Sequence, residues 1–260
     1  MTSARPMIAL MDLGYSYGSG QPFVLQEISL QIAAGTVTAL LGPNGSGKTT
    51  LLNIVLGWLV PSRGRVEILG NAKDTRSRKE LSRLIGLVPQ DEQMTFELSV
   101  AEYVLLGRAP YLALLEKPAE DDRRLALRAL DSLGLSDVRE RPITTLSGGE
   151  RQLAVIARAL VQEPQVLLLD EPMSHLDIAN TQRILRVLME LRGKGKTIVF
   201  TTHDPNIAEV ADMVVLLKKG RLQAAGAAAS TLTSENLGAT YGVRVEVVTI
   251  NGRPVVLTRI

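Results

Sequence analysis

A glycine-rich loop between a strand-like and a helix-like segment constrains the fold of this chain most strongly. TVTALL at residues 36–41 is a short β-branched and apolar run, GPNGSGKTT follows at residues 42–50, and an apolar helical pattern comes next. This order matches G-x-x-x-x-G-K-[ST] in a strand–loop–helix setting, where backbone amides curl around phosphate oxygens. The unpaired amides at the start of the helix add partial positive charge. The pattern therefore predicts a nucleoside triphosphate site.

The residue types of this loop predict its contacts. Lys48 would neutralise the β and γ phosphates, and the Thr49 hydroxyl would ligate Mg²⁺. The predicted nucleotide-binding residues of the loop are Gly42, Pro43, Asn44, Gly45, Ser46, Gly47, Lys48, Thr49 and Thr50.

Composition excludes several other classes of function. The chain of 260 residues has no cysteine, a net charge of +2 and only 3% aromatic residues. Disulfides and thiolate metal sites are therefore impossible, and we expect no nucleic-acid partner because basic stripes with aromatics are missing. Residues 1–14 carry too short an apolar run for a signal peptide. The longest apolar window, residues 51–60, is shorter than the roughly 20 residues that a bilayer span requires.

Helical and strand patterns alternate along the chain. Strands are predicted at residues 85–88, 166–169 and 197–201, and helices at residues 48–59, 101–106, 121–133, 149–161 and 179–191. Alternation of this kind indicates a mostly parallel sheet with flanking helices. We expect an α/β fold with a P-loop NTPase core, an N-terminal antiparallel β region and an inserted α-helical subdomain. Asn251-Gly252 predicts a C-terminal β-hairpin.

One domain over residues 1–260 is expected, with three parts. Residues 1–90 and 164–225 form the predicted nucleotide-binding core, residues 91–163 the helical subdomain, and residues 226–260 the C-terminal tail.

Three further motifs follow the phosphate loop in a fixed order. LSGGE at residues 146–150 precedes the helical pattern RQLAVIARAL, the aliphatic strand LLLDEP ends at Asp170-Glu171, and the strand TIVFTTHD ends at His203. In this order the motifs resemble those of the ATP-binding cassette (ABC) ATPases, over almost the whole chain. The resemblance implies ATP and Mg²⁺ as ligands.

Catalytic roles are implied by the resemblance and agree with the chemistry of the residues. Asp170, at a strand end, would hold Mg²⁺ directly or through water. Glu171 points elsewhere and would act as the general base for the attacking water. Gln90 resembles the glutamine of the family's Q-loop, which contacts Mg²⁺ and water and links to a transmembrane partner. His203 resembles the switch histidine that reaches the γ-phosphate.

Other residues point to a site shared by two chains. By resemblance Ser147, Gly148 and Gly149 would contact the γ-phosphate held by a second copy, and Asp177 matches the D-loop aspartate that crosses that interface. The active unit implied is a head-to-tail homodimer that binds two ATP molecules. Tyr17 is predicted to stack on adenine, with Tyr15 or a plain core role as alternatives.

Two residues near the acidic pair have no assigned chemistry. The family usually has threonine or serine where this chain has Met173, which puts the local packing after Glu171 in doubt. His175 lies beside the D-loop aspartate and receives no role.

Rival readings of the phosphate loop fit less well. A GTPase would require N-K-x-D, whereas residues 71–74 read Asn-Ala-Lys-Asp, and a kinase would lack LSGG. A soluble ABC ATPase of the iron–sulfur-assembly type stays open as an alternative. Exporters usually fuse membrane and ATPase segments, so the leading hypothesis is the separate ATPase subunit of an importer.

The importer hypothesis implies partners and a location. They are an integral-membrane permease dimer and, indirectly, a substrate-binding protein, with the chain at the cytoplasmic face of the membrane, peripheral through the permease. Residues 100–112, 175–182 and 201–212 and the ending LTSENLGATYGVRVEVV resemble the metal-chelate group of importers. That group takes up siderophore-iron, haem, cobalamin or oxyanions of the molybdate and tungstate type.

Overall fold

The computed structural model describes residues 6–92 and 97–257, which form twelve strands, nine α-helices and short 3₁₀ turns. The strands are β1 (Ile8–Tyr15), β2 (Leu25–Ile32), β3 (Val37–Leu41), β4 (Arg63–Ile68), β5 (Asn71–Ala72), β6 (Ile85–Val88), β7 (Val166–Leu169), β8 (Thr197–Thr202), β9 (Met213–Lys218), β10 (Arg221–Gly226), β11 (Glu246–Ile250) and β12 (Arg253–Leu257). The helices are α1 (Lys48–Leu56), α2 (Arg78–Leu84), α3 (Val100–Leu105), α4 (Glu120–Ser132), α5 (Gly148–Val161), α6 (Ile178–Gly193), α7 (Pro205–Ala208), α8 (Ala228–Thr231) and α9 (Ser234–Tyr241).

A six-stranded sheet in the order β10-β9-β3-β8-β7-β6 forms the centre of the molecule. β9, β3, β8, β7 and β6 run parallel, and β10 pairs antiparallel at the edge. Every residue of β3, β7 and β8 is buried. Strands covered on both faces bury side chains pointing to either side, which is why they read as continuous apolar runs rather than as alternating patterns.

A second, antiparallel sheet lies at the N-terminal side of the core and has the order β2-β1-β4-β5. One apolar cluster joins it to α1 and one face of the central sheet, through residues such as Ile28, Leu51 and Val199. A second cluster covers the opposite face and continues among α3, α4 and α5, where Val104, Leu130 and Ile156 meet. The expected fold class, with a parallel core, an antiparallel β region and a helical insertion, is confirmed.

Helix starts in the insertion are set by local capping. Ser99 and Ser147 each accept a hydrogen bond from the backbone amide three residues on, and the glutamate at that position bonds back to the serine amide. These capping boxes satisfy amides that have no partner within the helix. α3 and α5 therefore begin at Val100 and Gly148, one residue before the predicted starts.

Several predicted boundaries were wrong by a few residues. α1 ends at Leu56 rather than at residue 59, because Gly57 takes a left-handed conformation with φ 82° that stops the helix. The strand predicted at residues 85–88 has those bounds, so that Gln90 lies beyond it, whereas the strand TIVFTTHD, expected to end at His203, ends at Thr202. Both polar residues therefore lie in the loops that follow the strands.

The C-terminal hairpin has the predicted position. β11 and β12 pair with Ile250 opposite Arg253, so that Asn251-Gly252 forms a two-residue loop. The last three residues of the predicted tail and residues 93–96 of the predicted helical subdomain lie outside the described part. The division into core, subdomain and tail stays a prediction.

Met173 resolves the doubt about packing after the acidic pair. Its side chain is buried in the larger apolar cluster, together with residues of α5 and β8.

No helix within residues 6–92 and 97–257 is long and apolar enough to cross a bilayer.

The buried ring of Phe200 in β8 offers a test of this packing, since it has 0% exposure. We expect Phe200→Ala to lower the free energy of unfolding by about 3–5 kcal/mol, because the lost ring leaves a cavity. Urea denaturation measures this change. Leu114→Ala, at a position 95% exposed, is the control and should change stability by less than about 0.5 kcal/mol. Equal effects of the two substitutions would contradict the packing described.

Candidate nucleotide site

The phosphate loop connects β3 to α1 and leaves the start of the helix open. Gly47 is the N-cap residue, has φ 104° and offers no side-chain cap to the first-turn amides. A Cβ atom at this position would lie 2.6 Å from Leu25 Cδ2, and the positive φ would strain any residue other than glycine. Because amides of the first helical turn lack partners within the helix, they remain available to an anion.

Lys48 is buried at the base of this loop. Its Nζ donates to the Gly42 carbonyl at 2.8 Å and lies 3.5 Å from Glu171 Oε1. The loop carbonyl fixes the direction of the side chain, and the ammonium group faces a carboxylate from the end of β7. A buried positive charge is therefore held beside the phosphate loop.

Asp170 is held between two hydroxyl groups. Thr49 Oγ1 donates to one carboxylate oxygen at 2.7 Å, and Thr201 Oγ1 donates to the other at 2.6 Å. Asp170 is itself buried, which makes these bonds necessary because an unpaired buried carboxylate is costly. Thr49 and Asp170, both predicted as metal ligands, are thus in direct contact.

Glu171 has a different set of partners from its neighbour. Its backbone is left-handed with φ 46°, a conformation that costs a non-glycine residue about 1–3 kcal/mol. The Glu171 amide donates to Thr201 Oγ1 at 2.7 Å, which helps to fix this turn. The carboxylate then lies near Lys48 through Oε1 and 3.1 Å from His203 Nδ1 through Oε2. The two adjacent acids therefore face different groups.

The oxygen donors of Thr49 and Asp170 fit a Mg²⁺ ion. Mg²⁺ typically takes one or two protein oxygens and completes its shell with water and substrate phosphates. A hydroxyl beside a buried carboxylate, next to a phosphate-binding loop, supplies that donor set. Among the residues that the structure describes, no group of three or more histidine, aspartate or glutamate side chains could hold a metal by itself.

Gln90, the third predicted metal ligand, follows β6 and lines a separate crevice. That crevice also includes Glu92, Gly148, Gln152 and His175. The pocket beside Glu171 and His203 is lined by His175 as well. Residues 174–176 line both pockets and so lie between the Gln90 crevice and Glu171, and His175 has φ 63° in this turn.

The two aromatic candidates for adenine differ in exposure. Tyr15 belongs to the core at 8% exposure, whereas Tyr17 is 59% exposed. The Tyr17 hydroxyl lies 3.1 Å from Thr50 Oγ1, and its ring meets Tyr15 edge-on with centroids 5.0 Å apart. Tyr17 is thus tied to the phosphate-loop helix with its ring accessible, and its stacking role stays a prediction.

The residues predicted to serve a second chain lie together. Ser147 caps α5, and Gly149 follows in the first turn. A Cβ atom on Gly149 would lie 2.2 Å from Asn180 Oδ1, and Asn180 in turn donates to Asp177, the N-cap of α6. LSGG and the D-loop aspartate are therefore in adjacent segments, while Lys48, Asp170 and His203 form a different cluster.

Two residues at the site were missed by the sequence reasoning. Thr201 binds both Asp170 and the Glu171 amide, and Tyr241 donates to the His203 carbonyl at 3.1 Å. The signal for Thr201 was present, since a polar residue interrupts an apolar strand two positions before the histidine. Tyr241 comes from the tail and carried no such signal.

A phosphate loop, a carboxylate pair and a histidine at the ends of three neighbouring parallel strands define a nucleoside triphosphatase domain. The family model described as ABC transporter matches residues 25–174. The manganese transport system ATP-binding protein MntA of Synechocystis sp. is 38% identical over 93% of this chain and 92% of its own length. The molybdate import ATP-binding protein MolC of Haemophilus influenzae is 38% identical over 90% and 87%. The chain belongs to the ABC transporter family.

Solved structures agree with this assignment. A metal-chelate type ABC transporter in an inward-facing conformation contains a chain with a TM-score of 0.85 and 34% identity, covering 98% of this chain and 99% of the other. The ATP-binding cassette MJ0796, in a dimeric post-hydrolysis state bound to ADP and Pi, has a TM-score of 0.74 and 30% identity over 85% and 99%. The domain is an ABC ATPase, as predicted.

Thr201 is the positioning residue that this geometry singles out. We expect Thr201→Val to lower the ATP hydrolysis rate by at least about tenfold, because Asp170 and the Glu171 amide lose their shared hydroxyl. Steady-state phosphate release measures the rate, and Thr201→Ser should restore most of it. Thr38→Val in the adjacent strand is a matched control, since the buried Thr38 hydroxyl has no hydrogen-bond partner in the described part of the chain. A parental rate in Thr201→Val would exclude the positioning role.

Proposed function

We propose that this chain is the ATP-hydrolysing subunit of an importer for a metal ion, a metal chelate or a related oxyanion. The observation that carries the proposal is end-to-end similarity to import subunits, combined with a cluster that holds the phosphate loop, the acidic pair and His203. The named relatives serve manganese and molybdate, so the shared feature is the class of cargo. Siderophore-iron, haem, cobalamin, molybdate and tungstate fall within that class.

Phosphate binding would use the charge already gathered at the loop. The first-turn amides of α1 and the Lys48 ammonium group converge on the site, and Thr49 with Asp170 would hold Mg²⁺. A bound Mg²⁺ would neutralise charge on the β and γ phosphates. Since Lys48 lies 3.5 Å from Glu171, an incoming phosphate competes for Lys48 and frees the carboxylate.

Proton transfer would fall to Glu171 and orientation to His203. A general base needs to be within hydrogen-bond reach of the water that it activates. Glu171, only 11% exposed, is held by its own backbone turn, and His203, 60% exposed, contacts it from the solvent side. The imidazole thus lies between the base and the open face of the site, where the γ-phosphate would enter. Gln90, which lies in a separate crevice, would join Glu171 and His203 at the nucleotide when the site closes.

A second copy of the chain would supply the remaining contacts. Ser147, Gly148 and Gly149 lie at the N-terminus of the 14-residue helix α5, where amides and partial positive charge favour a phosphate. Asp177 lies in the adjacent segment and would cross the same interface. These positions support a head-to-tail homodimer that holds two ATP molecules between the phosphate loops and the LSGG segments.

A permease would dock in the groove between the core and the helical segment. This groove has a volume of about 1000 Å³ and is lined by Trp58 from the core and by Leu106, Pro110 and Arg158 from the helical side. Trp58 and Leu106 are 66% and 51% exposed, so the groove presents two large apolar side chains to a partner. Because Pro89 and Glu92 also line the groove, a partner there would adjoin the Gln90 loop. Docking of this kind would hold the chain at the cytoplasmic face of a membrane.

Substitution of the base tests the catalytic assignment. We expect Glu171→Gln to keep ATP binding but to lower turnover by about 10²–10⁴-fold, because the amide cannot accept the proton. ATP should then trap a dimer, which size-exclusion chromatography detects. Lys48→Ala should instead lose nucleotide affinity, measured by calorimetry. Hydrolysis at the parental rate in Glu171→Gln would refute the base assignment, and unchanged ATP binding in Lys48→Ala would refute the role of the loop.

The partner is tested by recovering the chain from its native host with detergent-solubilised membranes. We expect an integral-membrane protein to co-purify, and Leu106→Glu to reduce its yield because the charge enters the apolar groove. Val243→Glu, at a tail position 56% exposed, is the control. Mass spectrometry identifies the partner. A stable complex with soluble iron–sulfur-assembly factors alone would overturn the importer proposal.

A further inference from the structure

Three side chains form a closed cluster between the Gln90 loop and helix α5, the helix that begins at the LSGG segment. Tyr103 Oη donates to Glu92 Oε2 at 2.8 Å, Arg158 Nη1 donates to Glu92 Oε1 at 2.5 Å, and the Arg158 guanidinium lies 5.0 Å from the centre of the Tyr103 ring. Each member contacts both others. The cluster therefore joins the loop after β6, helix α3 and helix α5 at one point.

The cluster is shielded enough for its charges to matter. Tyr103 is 3% exposed, and the Arg158 and Glu92 side chains are only 22% and 23% exposed. Burial raises the pKa of the Tyr103 phenol well above its usual range, so the phenol stays protonated and donates to Glu92. The attraction between Arg158 and Glu92, to which the neutral Tyr103 phenol adds a hydrogen bond, is therefore screened less by solvent and salt than that of a surface salt bridge.

The cluster connects two elements predicted to contact nucleotide, namely the Gln90 loop and the helix that carries LSGG. Glu92 lies two residues after Gln90, and it lines both the Gln90 crevice and the groove proposed for the permease. Arg158 lies near the end of α5, eleven residues after Ser147, or about 16 Å along a helix axis. Helix α5 is a rigid element, so a shift at its LSGG end reaches Arg158 and, through Arg158, the Gln90 loop.

We propose that Glu92, Tyr103 and Arg158 form a positioning link that makes the Gln90 loop and the LSGG end of α5 move together. On the dimer of the proposed function, on which this inference rests, Gln90 faces the chain's own nucleotide and LSGG faces the nucleotide of the partner. The link thereby couples the two ATP sites. It also places that coupling at the margin of the permease groove.

A purely structural cluster would make a different prediction. Its loss would lower thermal stability and reduce activity in proportion to the folded fraction. Loss of a link lowers the turnover number and the Hill coefficient for ATP, while binding of ATP to the individual chain is preserved. The steepness of the ATP dependence therefore separates the two cases.

The test compares Glu92→Gln and Arg158→Met with Asp121→Asn, which removes an exposed ion pair to Arg124 in the same helical segment. We expect each of the first two variants to lower the turnover number by about tenfold and to bring the Hill coefficient towards 1. ATP affinity, measured by calorimetry in the Glu171→Gln background, should stay within about twofold of the value for Glu171→Gln alone. The double variant should be no worse than either single one, because both remove the same link.

Other results would overturn the inference. A Hill coefficient unchanged in Glu92→Gln, or loss of activity that tracks the melting temperature, leaves only a packing role. A parental chain that hydrolyses ATP with a Hill coefficient of 1 has no coordination to transmit. A parental chain that does not hydrolyse ATP would refute the proposed function itself, which is a distinguishable failure.

Discussion

The side-by-side parallel pairing of β3, β8 and β7 decides where each group of the nucleotide site lies. Leu41 pairs with Thr202, and Leu169 pairs with Phe200, so the strands end almost level. The phosphate loop, the acidic pair and His203 therefore emerge at one edge of the sheet. Because these strands are buried along their whole length, polar chemistry is concentrated where they end. The same buried parallel strands thus form the hydrophobic core and bring the polar groups of the site together.

Neighbouring carboxylates acquire different environments through a single hydroxyl. Thr201 donates to Asp170 and accepts from the Glu171 amide, so one carboxylate is held in the sheet edge while the next backbone turn is fixed in a left-handed conformation. That turn directs Glu171 towards Lys48 and His203. Local strain at Glu171 is offset by the surrounding contacts, as is common where function requires an unusual backbone. Separation of metal and base roles follows from this geometry.

Strong local patterns predicted the core of the fold and the main cluster of the site. The strands at Ile85–Val88 and Val166–Leu169 agree in both bounds, because aliphatic runs between turn signals are unambiguous in an α/β alternation. Tertiary effects limited the rest: Gly57 stops α1 early, and the edge strand β10, RLQAAG, gave no distinctive signal. Glu92 was missed because its partners come from distant helices.

The C-terminal tail belongs to the support of the site. Asn206, just after His203, exchanges two side-chain hydrogen bonds with the Val256 backbone, at 2.8 and 3.3 Å. Tyr241, at the end of α9, binds the His203 carbonyl directly. These contacts join the tail to the backbone of His203 and to helix α7, which follows it. The side chain of His203 faces solvent, while its backbone is held in place by the C-terminal tail.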